Sequence, residues 1–164
     1  MSFPHTSSVP RMCCGRITNL SEFRVWERPL TYLAGPYSHK DHAVREARYI
    51  HLTRATAWLI KRYKWNVFSP ITHSHPIHTI GGIESDWKTW KIFDEQYIRL
   101  SCRLIVLCLP GWRESVGVEA EQKIAQFNRL SVIYMTASDE VVEDYKLSPD
   151  APCVENLTEV LSKP

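Results

Sequence analysis

The stretch "RLIVLCLP", residues 103–110, constrains the fold of this chain more than any other segment. It is a continuous apolar run without the period-two alternation of a strand that keeps one face in water. Such a run, ended by a proline, is typical of a central strand in a parallel sheet whose two faces are both covered. The run therefore predicts a buried strand with helices on either side.

Strand and helix patterns alternate along the rest of the chain. Predicted strands cover 30–35, 64–70, 103–110 and 130–135, and predicted helices cover 40–63, 84–100, 118–129 and "VENLTEVLS" near the end. The stretch "ITHSHPIHTIGG", 71–82, is predicted as a long polar loop. Alternating strands and helices predict an α/β fold, a doubly wound (flavodoxin- or Rossmann-like) parallel sheet of four to five strands with flanking helices.

In the first helix, apolar residues recur at helical spacing and predict its buried face. These residues are Ala43, Ala47, Ile50, Ala57 and Ile60. Residues 1–28 carry no such periodicity and are predicted to form a flexible N-terminal extension. The remaining residues, 29–164, are predicted to form a single domain, a size that allows a proper core.

Composition narrows the possible partners and compartment. A formal charge of +2, spread along the chain, does not predict nucleic-acid binding. No apolar run reaches the roughly 20 residues of a membrane helix, and the N-terminus has no signal-peptide core. Five irregularly spaced cysteines are typical of a reducing cytoplasm, which is the predicted location. Cys13 and Cys14 lack the C-x-x-C separation of metal sites.

In doubly wound sheets, ligands bind beyond the carboxyl ends of the strands. That rule selects the loops "GPYSHKD", "SPITHSHPIH", "LPGWRESVG" and "MTASDE". Neither the glycine-rich dinucleotide fingerprint nor the P-loop motif is present, so no nucleotide cofactor of those types is predicted.

The third of these loops predicts an anion site. Gly111 and Gly117 allow a tight turn, and a helix that begins near Gly117 would point its free N–H groups, with the Ser115 hydroxyl, at one phosphate. Alternatively, Ser115 only caps the helix and the nearby glutamates only complement its dipole. Glu119 and Glu121 are two residues apart, so they cannot both face one pocket.

Other chemically suggestive residues have ordinary alternatives. His73, His75 and His78 are the best metal candidates by residue type, but Pro76 interrupts them and no carboxylate completes a ligand set. No metal is therefore predicted, and contacts to a base or a structural role are favoured. Asp94 lies in the second predicted helix, where a lone aspartate commonly faces solvent.

Three features together resemble the nucleoside 2-deoxyribosyltransferase superfamily: "TYLAGPYS", an aspartate in the second of these helices, and S-x-G-x-x-x-E after the third strand. The resemblance is nearest to members that hydrolyse nucleoside 5′-monophosphates and to small uncharacterised bacterial and phage relatives with an LPGWR-x-S motif. It covers about residues 30–136 and implies the fold predicted above.

The resemblance also implies roles for individual residues. Glu121 corresponds to the nucleophilic glutamate, Asp94 to the proton-donating aspartate with Glu95 as the alternative, and Tyr32 to the tyrosine that holds the nucleophile. The implied substrate-binding residues are Gly35, Tyr37, Ser38, His73, His75, Ser115 and Gly117. Pro36 has no N–H to offer, so Tyr37 and Ser38 would replace the small polar residues of the family's first loop.

The implied activity is hydrolysis of the N-glycosidic bond of a (deoxy)nucleoside 5′-monophosphate without a cofactor, with release of the base and (deoxy)ribose 5-phosphate. The alternatives are transfer of the sugar to a second base, and a non-catalytic nucleotide-binding protein on the same fold. Ser115 favours hydrolysis, because the free-nucleoside transferases of the superfamily carry an aspartate there, whose charge would repel a phosphate. "PGWRES" does not match the glycine-rich turn of the cytokinin-type phosphoribohydrolases.

The second predicted helix, 84–100, has more aromatic side chains than one core-facing stripe can bury. They are Trp87, Trp90, Phe93 and Tyr97. A homodimer or higher oligomer that packs through this helix is therefore predicted, and the resemblance implies that one subunit completes the site of the other.

Overall fold

The computed structural model describes residues 29–137 and 145–148 of the chain. The predicted extension 1–28 and the helix predicted in "VENLTEVLS" lie outside these residues. The described elements are β1 (Leu30–Ala34), α1 (His42–Tyr63), β2 (Asn66–Phe68), α2 (Pro70–Gly81), α3 (Trp87–Leu100), β3 (Ser101–Leu107), α4 (Val116–Phe127), β4 (Ser131–Ala137) and β5 (Tyr145–Ser148).

The sheet has the strand order β2-β1-β3-β4-β5. The first four strands are parallel, as predicted, and β5 pairs antiparallel with β4. The prediction of an α/β fold with a parallel sheet is therefore confirmed, whereas the antiparallel edge strand was not foreseen. Only residues 138–144 separate β4 from β5, which is too short for the crossover that a parallel neighbour requires.

Alternate residues of the central strands enter two separate hydrophobic clusters, one on each face of the sheet. Tyr32 and Leu104 pack with Ile98 of α3 and Val118 of α4. On the opposite face, Leu33, Ile105 and Leu107 pack with Leu52, Ala55 and Leu59 of α1. Both faces are thus covered, which explains why the β3 sequence is apolar without interruption.

The inward face of α1 differs from the predicted one. Its buried residues are Arg48, His51, Leu52, Ala55 and Leu59. Of the predicted stripe, Ile50 and Ile60 are exposed. The true stripe begins with two residues that can carry charge, and a pattern based on apolar residues alone does not include them.

The predicted loop 71–82 is wrong, because the structure forms helix α2 there. Pro70 occupies the first helical position, where its missing N–H costs nothing. Gly82 ends the helix in the left-handed conformation, and its N–H donates to the His78 carbonyl at 3.0 Å. Pro76 lies inside the helix and removes one main-chain hydrogen bond. These three residues were interpreted as loop signals. In the structure, Pro70 begins the helix, Pro76 is tolerated within it and Gly82 ends it.

Among the helices of residues 29–137, none combines the length and the apolar character that crossing a bilayer requires.

Candidate active site

A cleft of about 820 Å³ opens at the carboxyl ends of the parallel strands. Its walls come from the loop after β1, the first turns of α2, the N-terminal half of α3 and the turn between β3 and α4. The cleft therefore lies where the doubly wound topology predicts a ligand site.

At the floor of the cleft, three side chains from three elements meet. Tyr32 of β1 is fully buried, and Asp94 of α3 and Glu121 of α4 are 5% and 4% exposed. The Tyr32 hydroxyl donates a hydrogen bond to Glu121 Oε1 at 2.7 Å. The structure thus brings together the three residues to which the resemblance gives catalytic roles.

Burial changes the protonation of this group. It raises the pKa of Asp94 to about 7. Burial also raises the pKa of Glu121, with a further contribution from the charge of Asp94, to about 8, and the Tyr32 hydrogen bond opposes that rise. Both carboxyl groups therefore retain protons at pH values where exposed ones are ionised, and the protonation of one affects that of the other.

The neighbouring glutamates face elsewhere. Glu119 is exposed and forms an ion pair with Lys123, one helical turn later. Glu95, the alternative to Asp94, does not line the cleft. In each pair of candidate carboxylates, the structure places one in the cleft and the other outside it.

The turn between β3 and α4 forms one rim of the cleft. Gly111 takes a positive φ of 82°, which allows the chain to reverse. Ser115 caps α4, and its Oγ accepts a 3.4 Å hydrogen bond from the Val118 N–H. The N-cap alternative is thus realised, and the serine hydroxyl proton stays available to a ligand.

Gly117 does not make the turn, contrary to the expectation, because it already lies in the first helical turn of α4. A Cβ atom there would come no closer than 3.9 Å to another side chain. Glycine at 117 is required by neither conformation nor packing, and its missing side chain leaves open the space in front of the first-turn N–H groups.

Gly35, Tyr37 and Ser38 of the first loop also line the cleft. A Cβ atom on Gly35 would lie 2.7 Å from Leu52 Cδ2, so a side chain there would require the buried Leu52 to shift. This close approach holds the end of β1 against α1.

Two predicted substrate-binding residues, His73 and His75, do not line the cleft. His73 is exposed, with its ring near Phe68 and Trp90. His75 is buried, its Nδ1 is 2.9 Å from the Tyr37 hydroxyl, and its Nε2 is 3.2 Å from Glu46 Oε2. The observed contacts of His75 therefore hold Tyr37 from behind the wall of the cleft.

The part of the chain that the structure describes contains no group of three or more His, Cys, Asp or Glu side chains arranged to hold a metal ion. Cys13 and Cys14 lie outside that part.

Arg48 is the lining residue that the sequence reasoning missed. It is only 7% exposed, and its guanidinium donates to three main-chain carbonyls: Ser38 at 2.8 Å, Pro110 at 2.9 Å and Tyr37 at 3.3 Å. Its spacing of four to Leu52 and seven to Ala55 places it on the buried stripe of α1, which is the signal that could have revealed it. Trp87 and Trp90 also line the cleft.

The topology and the cleft define an α/β protein with a ligand site at the ends of its parallel strands. Residues 29–137 match the model of a family described as a domain of unknown function, DUF1937. The match covers more than half of the chain, so the protein belongs to this family. A search of curated proteins gives no match to the chain.

Proposed function

We propose that this protein hydrolyses the N-glycosidic bond of a (deoxy)nucleoside 5′-monophosphate and releases the free base and (deoxy)ribose 5-phosphate. One observation carries the proposal: two carboxyl groups, Asp94 and Glu121, are buried side by side at the floor of a cleft, and Tyr32 bonds to one of them. The resemblance to the nucleoside 2-deoxyribosyltransferase superfamily supports the same assignment.

The chemistry requires two acidic groups in different protonation states. Breaking the bond between the sugar and the base leaves positive charge on the anomeric carbon, as in other glycosidases. The ionised Glu121 would bond to that carbon or stabilise its charge, while Asp94 gives its proton to the departing nitrogen. Water then adds to the anomeric carbon, breaks the bond to Glu121 where one has formed, and gives a proton to Asp94, so that both carboxyl groups return to their starting states.

The environment of the pair keeps a proton available at neutral pH. Burial favours the protonated form of both groups, which supplies the acid. The Tyr32 hydrogen bond lowers the pKa of both carboxyl groups, so the choice of Glu121 as the ionised partner rests on the resemblance. Positive charge that develops on the sugar would favour ionisation of the carboxyl group beside it.

The rim of the cleft supports a phosphorylated substrate. The helix dipole and the first-turn N–H groups of α4 favour an anion, and Ser115 adds a hydroxyl donor. A phosphate held there would fix the sugar over the carboxyl pair and so convert binding energy into positioning. The cleft volume lies within the range of small-molecule sites.

The test is a panel of purified ribo- and deoxyribonucleoside monophosphates with their matching nucleosides, incubated with the protein and analysed for free base by chromatography. Release of base from monophosphates, and its loss in Glu121→Gln, is the expected result. A second base in the reaction distinguishes hydrolysis from transfer, since a transferase would give a new nucleoside or nucleotide. Binding of monophosphates without any release would identify a nucleotide-binding protein instead.

A further inference from the structure

Arg48 carries a positive charge into the cleft wall with no carboxylate to balance it. Arg48 is buried, with only 7% of its surface exposed. Its contacts are main-chain carbonyls, and the Nε atom, itself buried, has no hydrogen-bond partner. Within residues 29–137, no acidic side chain lies within ion-pair distance of it.

A buried charge without a counter-ion is costly, because it loses its hydration and gains no full opposite charge. Carbonyl dipoles stabilise Arg48 only in part. Glu114 and Asp86 also line the cleft, but both are exposed, and Asp86 caps α3 by accepting from the Thr89 N–H. The guanidinium has five N–H donors, of which three are used, so the Nε hydrogen and one Nη2 hydrogen are left.

Arg48 lies directly beneath the turn that leads into α4. A Cβ atom on Gly111 would be 2.9 Å from Arg48 Nη2, so the guanidinium occupies the space that a side chain at 111 would fill. The same turn ends in Ser115 and the first-turn N–H groups of α4. Two independent positive features, a buried guanidinium and a helix N-terminus, thus line the same cleft and are joined by the turn 110–115.

We propose that Arg48 is the charged member of an anion subsite, formed with Ser115 and the N-terminus of α4, that binds the phosphate of a sugar phosphate. The proposal rests on the proposed function for the identity of the ligand. Arg48 would neutralise part of the phosphate charge, and the phosphate would supply the counter-ion that no acidic side chain of residues 29–137 provides. It would therefore determine the preference for phosphorylated over unphosphorylated ligands.

Arg48 also joins the loop after β1 to the turn after β3, so its loss could disturb the wall of the cleft without any effect on charge. The test must separate these two effects. Ribose 5-phosphate and ribose form a suitable pair of probes, because neither has a glycosidic bond to cleave and only one carries a phosphate. Free ribose also forms six-membered rings, but this difference is the same for every variant and cancels when the phosphate preferences of the variants are compared.

Binding of both probes is measured by isothermal titration calorimetry for the wild type, Arg48→Gln, Arg48→Lys and Arg45→Gln. Arg45 is the matched control: it lies one turn earlier on α1 and donates to the His39 and Lys40 carbonyls, but it does not line the cleft. We expect a preference for ribose 5-phosphate that Arg48→Gln reduces about ten- to a hundredfold, that Arg48→Lys partly restores and that Arg45→Gln leaves unchanged. An equal loss of affinity for both probes in Arg48→Gln would reject the proposal.

A measurement on the wild type covers the case in which Arg48→Gln does not fold. In a protein labelled with ¹⁵N at arginine, the Nε–H signal of Arg48 is assigned by its disappearance in Arg48→Lys or, if neither variant folds, by its nuclear Overhauser contacts to Gly111. We expect this signal to shift with ribose 5-phosphate and not with ribose. The proposal would be rejected if ribose 5-phosphate binds without shifting the Arg48 signal. It would also be rejected if ribose 5-phosphate does not bind at millimolar concentration.

The two proposals fail in different ways. A phosphate preference that depends on Arg48, together with no cleavage of any monophosphate, would reject the glycosidase and keep the anion subsite. If monophosphates are cleaved and Arg48→Gln leaves the phosphate preference unchanged, the glycosidase is kept and the role of Arg48 is rejected.

Discussion

Two buried tyrosines on the first strand and its loop, Tyr32 and Tyr37, each contact a titratable side chain, yet the two networks end differently. Tyr32 donates to Glu121, beside Asp94, and all three residues are at most 5% exposed. Tyr37 contacts His75, whose other ring nitrogen faces Glu46, and the Glu46 side chain is 42% exposed.

The difference lies in how charge is balanced. In the Tyr37 network, both ring nitrogens of His75 have partners, its ring stacks on Tyr49 at 3.9 Å, and the outer carboxylate reaches water. In the Tyr32 network, two carboxyl groups are buried close together, and burial raises the pKa of both and so favours their neutral forms. Buried polar contacts alone therefore do not identify a functional site. Buried acidic groups with raised pKa values and no cationic partner are a more specific indication of one.

The largest expected effect is on turnover. Glu121→Gln keeps the shape of the Tyr32 network but removes the carboxylate that the proposed mechanism places at the anomeric carbon. We expect release of base to fall by on the order of a thousandfold or more, while circular dichroism and nucleotide binding stay near wild type.

Glu119→Gln and Glu46→Gln are the controls for that experiment, since Glu119 pairs with Lys123 outside the cleft and Glu46 belongs to the Tyr37 network. Both should keep substantial activity. If Glu46→Gln is inactive and Glu121→Gln stays active, the catalytic carboxylate belongs to the Tyr37 network and the present assignment is wrong.

The next effect concerns the rim above the Tyr32 network. Ser115→Ala removes a hydroxyl donor to the phosphate, and a hydrogen bond to a charged group is worth roughly 1.5–3 kcal/mol. We expect kcat/KM for a monophosphate to fall by about ten- to a hundredfold, with much less change for a free nucleoside. Faster cleavage of free nucleosides by the wild type would argue against a phosphate site and favour the transferase.

Subunit contacts are the third test, because they decide whether the Tyr32 network is completed by a second chain. Trp87→Glu or Trp90→Glu is expected to lower the oligomeric state and activity together, but both residues line the cleft and could affect activity directly. Phe93→Glu is the cleaner variant, since Phe93 is 51% exposed on α3 and does not line the cleft. Light scattering that finds a fully active wild-type monomer at micromolar concentration would exclude this interface.

The pH dependence of stability should have opposite signs in the two networks. For Glu121, the pKa rises from 4.5 to about 8 on folding, so the folded state holds a proton that the unfolded chain has lost between these values. Its contribution is present at acid pH and is lost as the pH rises through 8. In urea unfolding at pH 8.5, we expect Glu121→Gln to have a free energy of unfolding higher than that of the wild type by on the order of a few kcal/mol. At pH 5 the difference between the two proteins should be smaller.

The smallest effect belongs to His75. Burial lowers its pKa below the ordinary value of 6.5, and the charge of Glu46 partly offsets this. The unfolded chain therefore takes up a proton first as the pH falls, and stability is lost below about pH 6.5. His75→Gln should weaken this acid-side loss in the same urea experiments. An unchanged slope below pH 6.5 would show that His75 does not cause it.

Much of the fold could be predicted because its strongest signals are local. The apolar run that became β3 and the alternation of strands with helices are both visible within short windows of sequence. By contrast, α2 was missed because proline and glycine have opposite meanings inside a helix and at its ends. The antiparallel β5 was missed because its four residues are too few to give a clear strand pattern, so the pairing direction that the short connection imposes was not considered.

For the site, the sequence alone does not distinguish an exposed acid from a buried one. The motif spacing of the resemblance selected Glu121 over Glu119, a choice that local periodicity left open. The spacing of Arg48 to Leu52 and Ala55 could have shown that it lies on the buried stripe of α1, but not what it contacts. Its contact with the Pro110 carbonyl joins residues 62 positions apart and can be recognised only once the chain is folded.

The three-residue strand β2 has a consequence for how copies of this protein can associate. It forms one edge of the sheet, and the chain turns directly from Phe68 through Ser69 into α2, where Pro70 has no N–H to extend the pairing. An edge this short offers few backbone groups to an incoming strand, which is one way in which proteins avoid sheet-to-sheet aggregation. The β2 edge therefore does not favour a continuous intermolecular sheet, and the proposed contact through α3 would need no strand pairing there.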